Sequence, residues 1–125
     1  MSDAKTSVED LKIAVRTFIR ERDWEKYHNP KDLAESICIE AAELLQLFQW
    51  IESEESSEFK TNPSKLARVQ EELADVVIYC LSMADTFEVD LARAIFEKIQ
   101  LNTKKYPVHL SKGKAYFTRQ RNNFK

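Results

Sequence analysis

A single glycine, Gly113, in 125 residues is the strongest constraint on what this chain can build. Hairpin turns and phosphate-cradling loops need residues that tolerate positive φ, and glycine supplies most of them. Only three prolines accompany it, and Ala, Leu, Glu, Lys and Ile dominate the long segments, which is an all-helical composition. With 43% apolar and 32% charged residues, the chain suits one soluble domain spanning 1–125 with a modest core. A net charge of −2 offers no basic excess to track phosphates, so neither nucleic acid nor a membrane surface is expected as a partner. No apolar run reaches membrane-spanning length, and the opening MSDAKTSVED lacks a signal-peptide core, so the expected compartment is cytoplasmic. Cys38 and Cys80 lie in apolar helical runs without a CxxC or a nearby histidine and read as reduced core thiols.

Periodicity divides the chain into four helical segments and a tail. The first starts at Ser7 as N-cap, with Asp10 at the third helical position and Leu11, Val15, Phe18 and Ile19 on one face. It should end near Trp24 to Tyr27, because Pro30 disfavours helical geometry at Asn29. The second runs from about 31 to 52, with Leu33, Ile37, Leu44, Leu45, Phe48 and Ile51 inward. The polar SEESSEFKTN that follows reads as a flexible loop, and Pro63 suits the first turn of the next helix. The third segment covers about 64 to 87. The fourth covers about 90 to 105, with Leu91, Ile95 and Ile99 inward. From Tyr106 onward the tail reads as extended or irregular and suited to wrapping a neighbouring subunit.

Two blocks, residues 32–59 and 69–92, contain no lysine or arginine yet hold fourteen of the twenty-one carboxylates. Acidic pairs three apart occur six times, where about three would arise by chance, so spacing alone says little. Setting separates two pairs from the rest: Glu40/Glu43 and Glu72/Asp75 fall mid-helix among aliphatic residues. A carboxylate drawn into such surroundings costs several kcal/mol unless a cation compensates it. Without a basic residue in either block, the simplest compensator is a metal ion, and an oxygen-only ligand set suggests Mg2+, with Mn2+ as a candidate substitute.

Residues three apart on a helix point about the same way, so antiparallel packing of the second and third segments would bring four carboxylates together. Tyr79 continues the acid face of the third segment, and Leu47 and Trp50 continue the stripe from Glu40. Such an acidic cleft with aromatic walls suits metal ions and a polyphosphate whose base stacks on a ring. Pattern alone fits equally well a bundle seam with partly exposed acids and aromatics in the core.

Glu40-x-x-Glu43, twenty-eight intervening residues and Glu72-x-x-Asp75 resemble the signature of MazG-like all-α nucleoside triphosphate pyrophosphohydrolases. The resemblance extends through ERDWEKYHNPKDLA, IEAAELLQLFQW, EELADVVIYCL and KKYPVHLSKGKA, and is greatest to the subgroup that contains dCTP pyrophosphatases. It implies a four-helix bundle-like fold and Mg2+-dependent cleavage between the α- and β-phosphates of a nucleotide, giving a monophosphate and pyrophosphate. Glu40, Glu43, Glu72 and Asp75 would hold the metal, with Glu40 or Glu43 as general base. Trp24, His28, Trp50 and Tyr79 resemble base and sugar positions. Lys98, Asn102 and Tyr106 resemble positions that reach the phosphates, with Lys105 and Lys31 as weaker candidates. His28, beside Pro30, would also serve as a plain helix cap. The resemblance further implies a homodimer or homotetramer and a role in nucleotide-pool housecleaning. Val15 stands where some members carry histidine, and Asp32 where they carry asparagine, which leaves base preference open.

Two rival classes fit less well. A ferritin-like di-metal protein needs two Glu-x-x-His motifs, and only Glu25-x-x-His28 matches. A non-catalytic oligomeric helical module is the stronger alternative, since wide apolar stripes favour association with or without catalysis.

Overall fold

A computed structural model describes residues 1–114, and all regular structure among them is helical. Two compact units are present, Met1–Val89 and a second from Asp90 onward. In the first, α1 (Val8–Glu21) leads through a 3-10 turn (Glu25–Tyr27) to α2 (Pro30–Gln46). A single turn α3 (Ser53–Ser56) and a 3-10 segment (Ser57–Thr61) then reach the 24-residue α4 (Pro63–Thr86). The second unit holds α5 (Leu91–Lys105) and a last turn, α6 (Val108–Ser111).

Short polar residues set the helix starts. Ser7 and Asp10 form a reciprocal capping box at 3.0 and 2.9 Å. Asn29, Asn62 and Asp90 each accept from a backbone N–H three residues on, and Pro30 and Pro63 occupy first helical positions. The ends of α1 and α4 adopt left-handed turns without glycine. Asp23 and Glu88 sit at φ 53°, while Trp24 N–H and Val89 N–H reach back to Ile19 and Ala84 carbonyls at 3.1 and 2.8 Å. That turn stops α1 at Glu21, short of the expected 24–27, and leaves residues 25–27 as a separate 3-10 turn.

α4 is the shared partner, packing against α2, α1 and the 57–61 segment. Ile19, Leu33, Phe59, Leu81 and Ala84 are buried around it, and Leu33 is closed off almost completely. Burying such a leucine contributes about 2 kcal/mol. Polar contacts join α1 to the far end of α4. The Arg16 guanidinium donates to both carboxylate oxygens of Asp85, and the Lys12 ammonium donates to the Val89 carbonyl at 2.5 Å. These pairings run in opposite sequence directions, so α1 and α4 are antiparallel.

Several expectations are corrected. The second helix ends at Gln46, not 52, because residues 47–49 tighten into contacts three apart and the Phe48 ring meets Phe59 at 4.8 Å. The expected loop is mostly helical. Phe59 anchors it with Lys65 over its ring, and Ser56, Ser57 and Thr61 donate to carbonyls three residues back. Val108–Ser111 forms a turn inside the supposed irregular tail; its remainder from 115 lies outside the described residues. Cys38 is exposed rather than in the core, and Cys80 is half-buried. Leu11, Phe18, Leu45, Ile95 and Ile99, expected inward, are also exposed. The apolar stripes are wider than the faces covered within one chain.

Candidate functional site

The polar centre of the first unit lies where α2 faces α4. One carboxylate oxygen from each of Glu40, Glu43 and Glu72 lies within 4.8 Å of the others. Further along the same pair of helices, the His28 ring, just before α2, meets the Tyr79 ring at 6.1 Å. As α2 advances from 28 to 40, α4 retreats from 79 to 72. The helices are therefore antiparallel, and the two acidic pairs face each other across them. Asp75 is exposed and falls outside the three-residue cluster, yet its charge reaches both Glu40 and Glu72.

Electrostatics marks this cluster as incomplete. Glu40 Oε2 and Glu72 Oε2 are buried without a hydrogen-bond donor. Burial, then the close approach and charge of Glu43 and the charges of Asp75 and Glu72, pushes Glu40 up to about 6. Glu72 is raised for the same reasons, burial first, with Glu43 and Asp75 next; Arg68, one turn earlier, is the weakest influence and opposes the shift. Arg68 lies just before the lysine- and arginine-free block and is the local cation that the sequence reading left out. Acceptor-only oxygens that raise one another's proton affinity fit a hard divalent cation, which would supply the missing positive charge. Glu40, Glu43 and Glu72 are the residues that would hold it, with Asp75 adjoining.

The other sequence candidates divide into three groups. His28 and Tyr79 come together on the acid-bearing stripe, where Tyr79 lies two turns from Glu72. The His28 Nδ1 is buried without a partner, so the ring is not simply a helix cap; that role belongs to Asn29. Trp24 packs edge-on against Phe18 at 5.8 Å and keeps an exposed face. Trp50 is 89% exposed in the turns beyond α2, so it does not continue the helical stripe from Glu40 as expected. In the second unit Lys98 and Asn102 lie one turn apart on α5 and Tyr106 caps its C-terminal end, with Lys98 exposed and the other two half-buried. Lys105 lies over the Tyr106 ring at 5.4 Å, and Lys31 is a solvated partner of Glu35.

An all-helical protein with paired carboxylates meeting across two antiparallel helices defines a class that comparison makes specific. The MazG-like family model matches residues 35–116, and the chain belongs to that family. It is 41% identical over 109 residues to dCTP pyrophosphatase 1 of Rattus norvegicus and 37% identical over 109 residues to that of Homo sapiens. Each alignment covers 87% of this chain and 64% of the relative, so the chain spans just under two thirds of those proteins. A crystal structure of a pyrophosphatase from Archaeoglobus fulgidus superposes with a TM-score of 0.71 at 44% identity, covering 79% of this chain and 91% of that one. No helix among the described residues is long and apolar enough to cross a membrane.

Proposed function

We propose that the chain is a Mg2+-dependent nucleoside triphosphate pyrophosphohydrolase that cleaves between the α- and β-phosphates and releases a monophosphate and pyrophosphate. The carrying observation is the Glu40–Glu43–Glu72 cluster with its two buried, donorless oxygens, in a member of the MazG-like family. The names of its mammalian relatives support dCTP, and with it the deoxynucleotide class, normal or modified, as substrate. The family match reaches from the first unit into the second, which supports treating 1–125 as one pyrophosphohydrolase domain.

Glu40, Glu43, Glu72 and Asp75 present the negative charge that holds divalent cations. Glu40 or Glu43 takes the proton of the attacking water. When bound, the metal neutralises the triphosphate, polarises its phosphoryl oxygens and acidifies water. His28 and Tyr79 offer a ring surface to the nucleoside; Trp24 and Trp50 hold apolar area available for the same purpose. In the second unit, Lys98, Asn102 and Tyr106 are the candidates for phosphate contact, on their resemblance to family positions alone. Exposed Leu45, Leu73, Phe96 and Leu101 support a homodimer or homotetramer, since monomers seldom leave so many large apolar side chains open. Nucleotide-pool housecleaning in the cytoplasm is the role that follows from such a reaction.

Product analysis tests the reading directly. The purified chain is incubated with normal and modified deoxynucleoside triphosphates, with Mg2+, with Mn2+ or with EDTA, beside Glu43→Gln. Metal-dependent pyrophosphate release, reduced on the order of 100-fold or more by the substitution, is expected. Release of inorganic phosphate would refute the bond assignment, and absence of turnover would favour the non-catalytic module.

A further inference from the structure

A cavity of about 260 Å3 opens between α1 and α4, beyond Tyr79 on the side away from the acids. Val15, Ile19 and Leu81 give it apolar walls, while Ser82, His28 and the Arg16–Asp85 pair give it polar ones. Two of its polar atoms have no hydrogen-bond partner, Ser82 Oγ and His28 Nδ1.

Ser82 is the telling residue. It is 6% exposed near the C-terminal end of α4, at a helical position where a hydroxyl commonly bonds the carbonyl four residues back. Thr86 does so, donating to the Ser82 carbonyl at 2.8 Å. Ser82 does not, and its hydroxyl lines the cavity instead. A buried unpaired hydroxyl costs about 1–3 kcal/mol, a penalty that a ligand with a matching polar edge removes.

The cavity lies in line with the acid cluster. Glu72, Asp75, Tyr79, Ser82 and Thr86 recur at spacings of three and four and so share one face of α4. At 1.5 Å per residue, Ser82 lies about 10 Å and Asp85 about 15 Å along the axis from Asp75. One nucleoside bridges that interval when its phosphates lie at the acids. Asp85 accepts from Arg16 Nε at 2.9 Å and from Nη2 at 2.5 Å, which leaves lone pairs on a carboxylate that still lines the cavity.

Resting on the pyrophosphohydrolase reading, we propose that Ser82 and Asp85 are specificity-determining residues that bind the edge of an amino-bearing base, the cytosine class. An acceptor-only carboxylate accepts from an exocyclic N–H2 and repels the carbonyl that uracil and thymine carry at that position. Ser82, able to donate or accept, pairs with the adjacent ring nitrogen or carbonyl. Arg16 acts through Asp85 as a positioning residue.

The test compares kcat and KM for dCTP and dUTP in wild type, Ser82→Ala, Ser82→Val and Asp85→Asn, with thermal melts alongside. Wild type should prefer dCTP. Ser82→Ala and Asp85→Asn should lower the dCTP:dUTP ratio of kcat/KM about 10–100-fold, mainly through KM, with the cleaved bond unchanged. Asp85→Asn should improve dUTP in absolute terms, because its amide can donate to the carbonyl. Ser82→Val should narrow the cavity and raise KM for both. Should Asp85→Asn fail to fold, the smaller Ser82→Ala change carries the test. A wild type without preference, or a ratio that stays within twofold in folded variants, overturns the proposal. Absence of pyrophosphate release by wild type from any nucleotide overturns instead the activity on which it rests.

Discussion

Arg16 and Asp85, sixty-nine residues apart, are joined by two parallel hydrogen bonds, Nε to Oδ2 at 2.9 Å and Nη2 to Oδ1 at 2.5 Å. The pair fastens the middle of α1 to the end of α4, and both side chains are about one-third exposed. Arg16 holds the Asp85 carboxyl below its usual range, chiefly through this hydrogen bond. A depressed carboxylate stabilises the folded chain above the unfolded value near 4, and that contribution disappears as pH falls through the folded value. Arg16→Gln should therefore cost about 1–2 kcal/mol at pH 7, with the gap to wild type closing below pH 4. Urea denaturation at both pH values measures it; a gap independent of pH would assign the loss to packing.

Little in the sequence announces that pair. Asp85 falls in the lysine- and arginine-free block, where its neighbour Glu88 made it resemble one more solvated helix-end pair. Its cation comes from another helix, and a long-range pairing leaves no periodic trace. What was legible was local or periodic: the Ser7–Asp10 capping box, Pro63 at the start of α4, and the two mid-helix acidic pairs with their antiparallel approach. The end of α2 was not, because Phe48 turns toward Phe59 across a segment whose polar composition reads as loop. Nor was the exposure of Leu45 or Ile99. An apolar stripe records which residues share a face, but not how much of that face its own chain covers.

Glu40 gives the opposite pH dependence to Asp85. Its carboxyl is raised to about 6 by burial and neighbouring acids, so the metal-free folded state holds its proton more tightly than the unfolded chain. Stability contributed by that proton is present below the unfolded value near 4.3 and is lost as pH rises through 6. In EDTA the melting temperature should fall between pH 5 and pH 7.5, and Mg2+ should restore more of it at pH 7.5, where the carboxylates are free to bind. Glu40→Gln should flatten the slope and blunt the Mg2+ response. Calorimetry with and without the metal decides; an equal Mg2+ shift at both pH values contradicts the assignment.

Lys12 is 8% exposed, and its ammonium donates to the Val89 carbonyl just past the end of α4. A cation at a helix C-terminus typically contributes about 0.3–1 kcal/mol, and up to about 2 where partly buried. Lys12→Met keeps the stem and removes the charge. A loss of about 1 kcal/mol in urea melts is expected, together with an upward shift of the Asp85 carboxyl, to which Lys12 adds a smaller attraction than Arg16. Carbon-detected titration of Asp85 reads the second effect; an unmoved Asp85 would show that the ammonium serves the carbonyl alone.

Glu88 shows what scarcity of glycine costs. At φ 53° it closes α4 in a left-handed conformation that β-carbon-bearing residues adopt at about 1 kcal/mol or more. The turn is kept because Glu88 N–H bonds the Asp85 carbonyl at 3.1 Å and Val89 N–H bonds Ala84 at 2.8 Å. Glu88→Gly relieves the strain but loosens the unfolded chain, an opposing effect of about 0.4–1 kcal/mol. Native-state relief should slightly exceed that entropy, for a net gain of about 0.5 kcal/mol in urea melts. Glu88→Ala, which keeps the β-carbon and removes only an exposed carboxylate, should bring none of that gain. If alanine matched the gain from glycine, the charge of Glu88 rather than its backbone would be the cause.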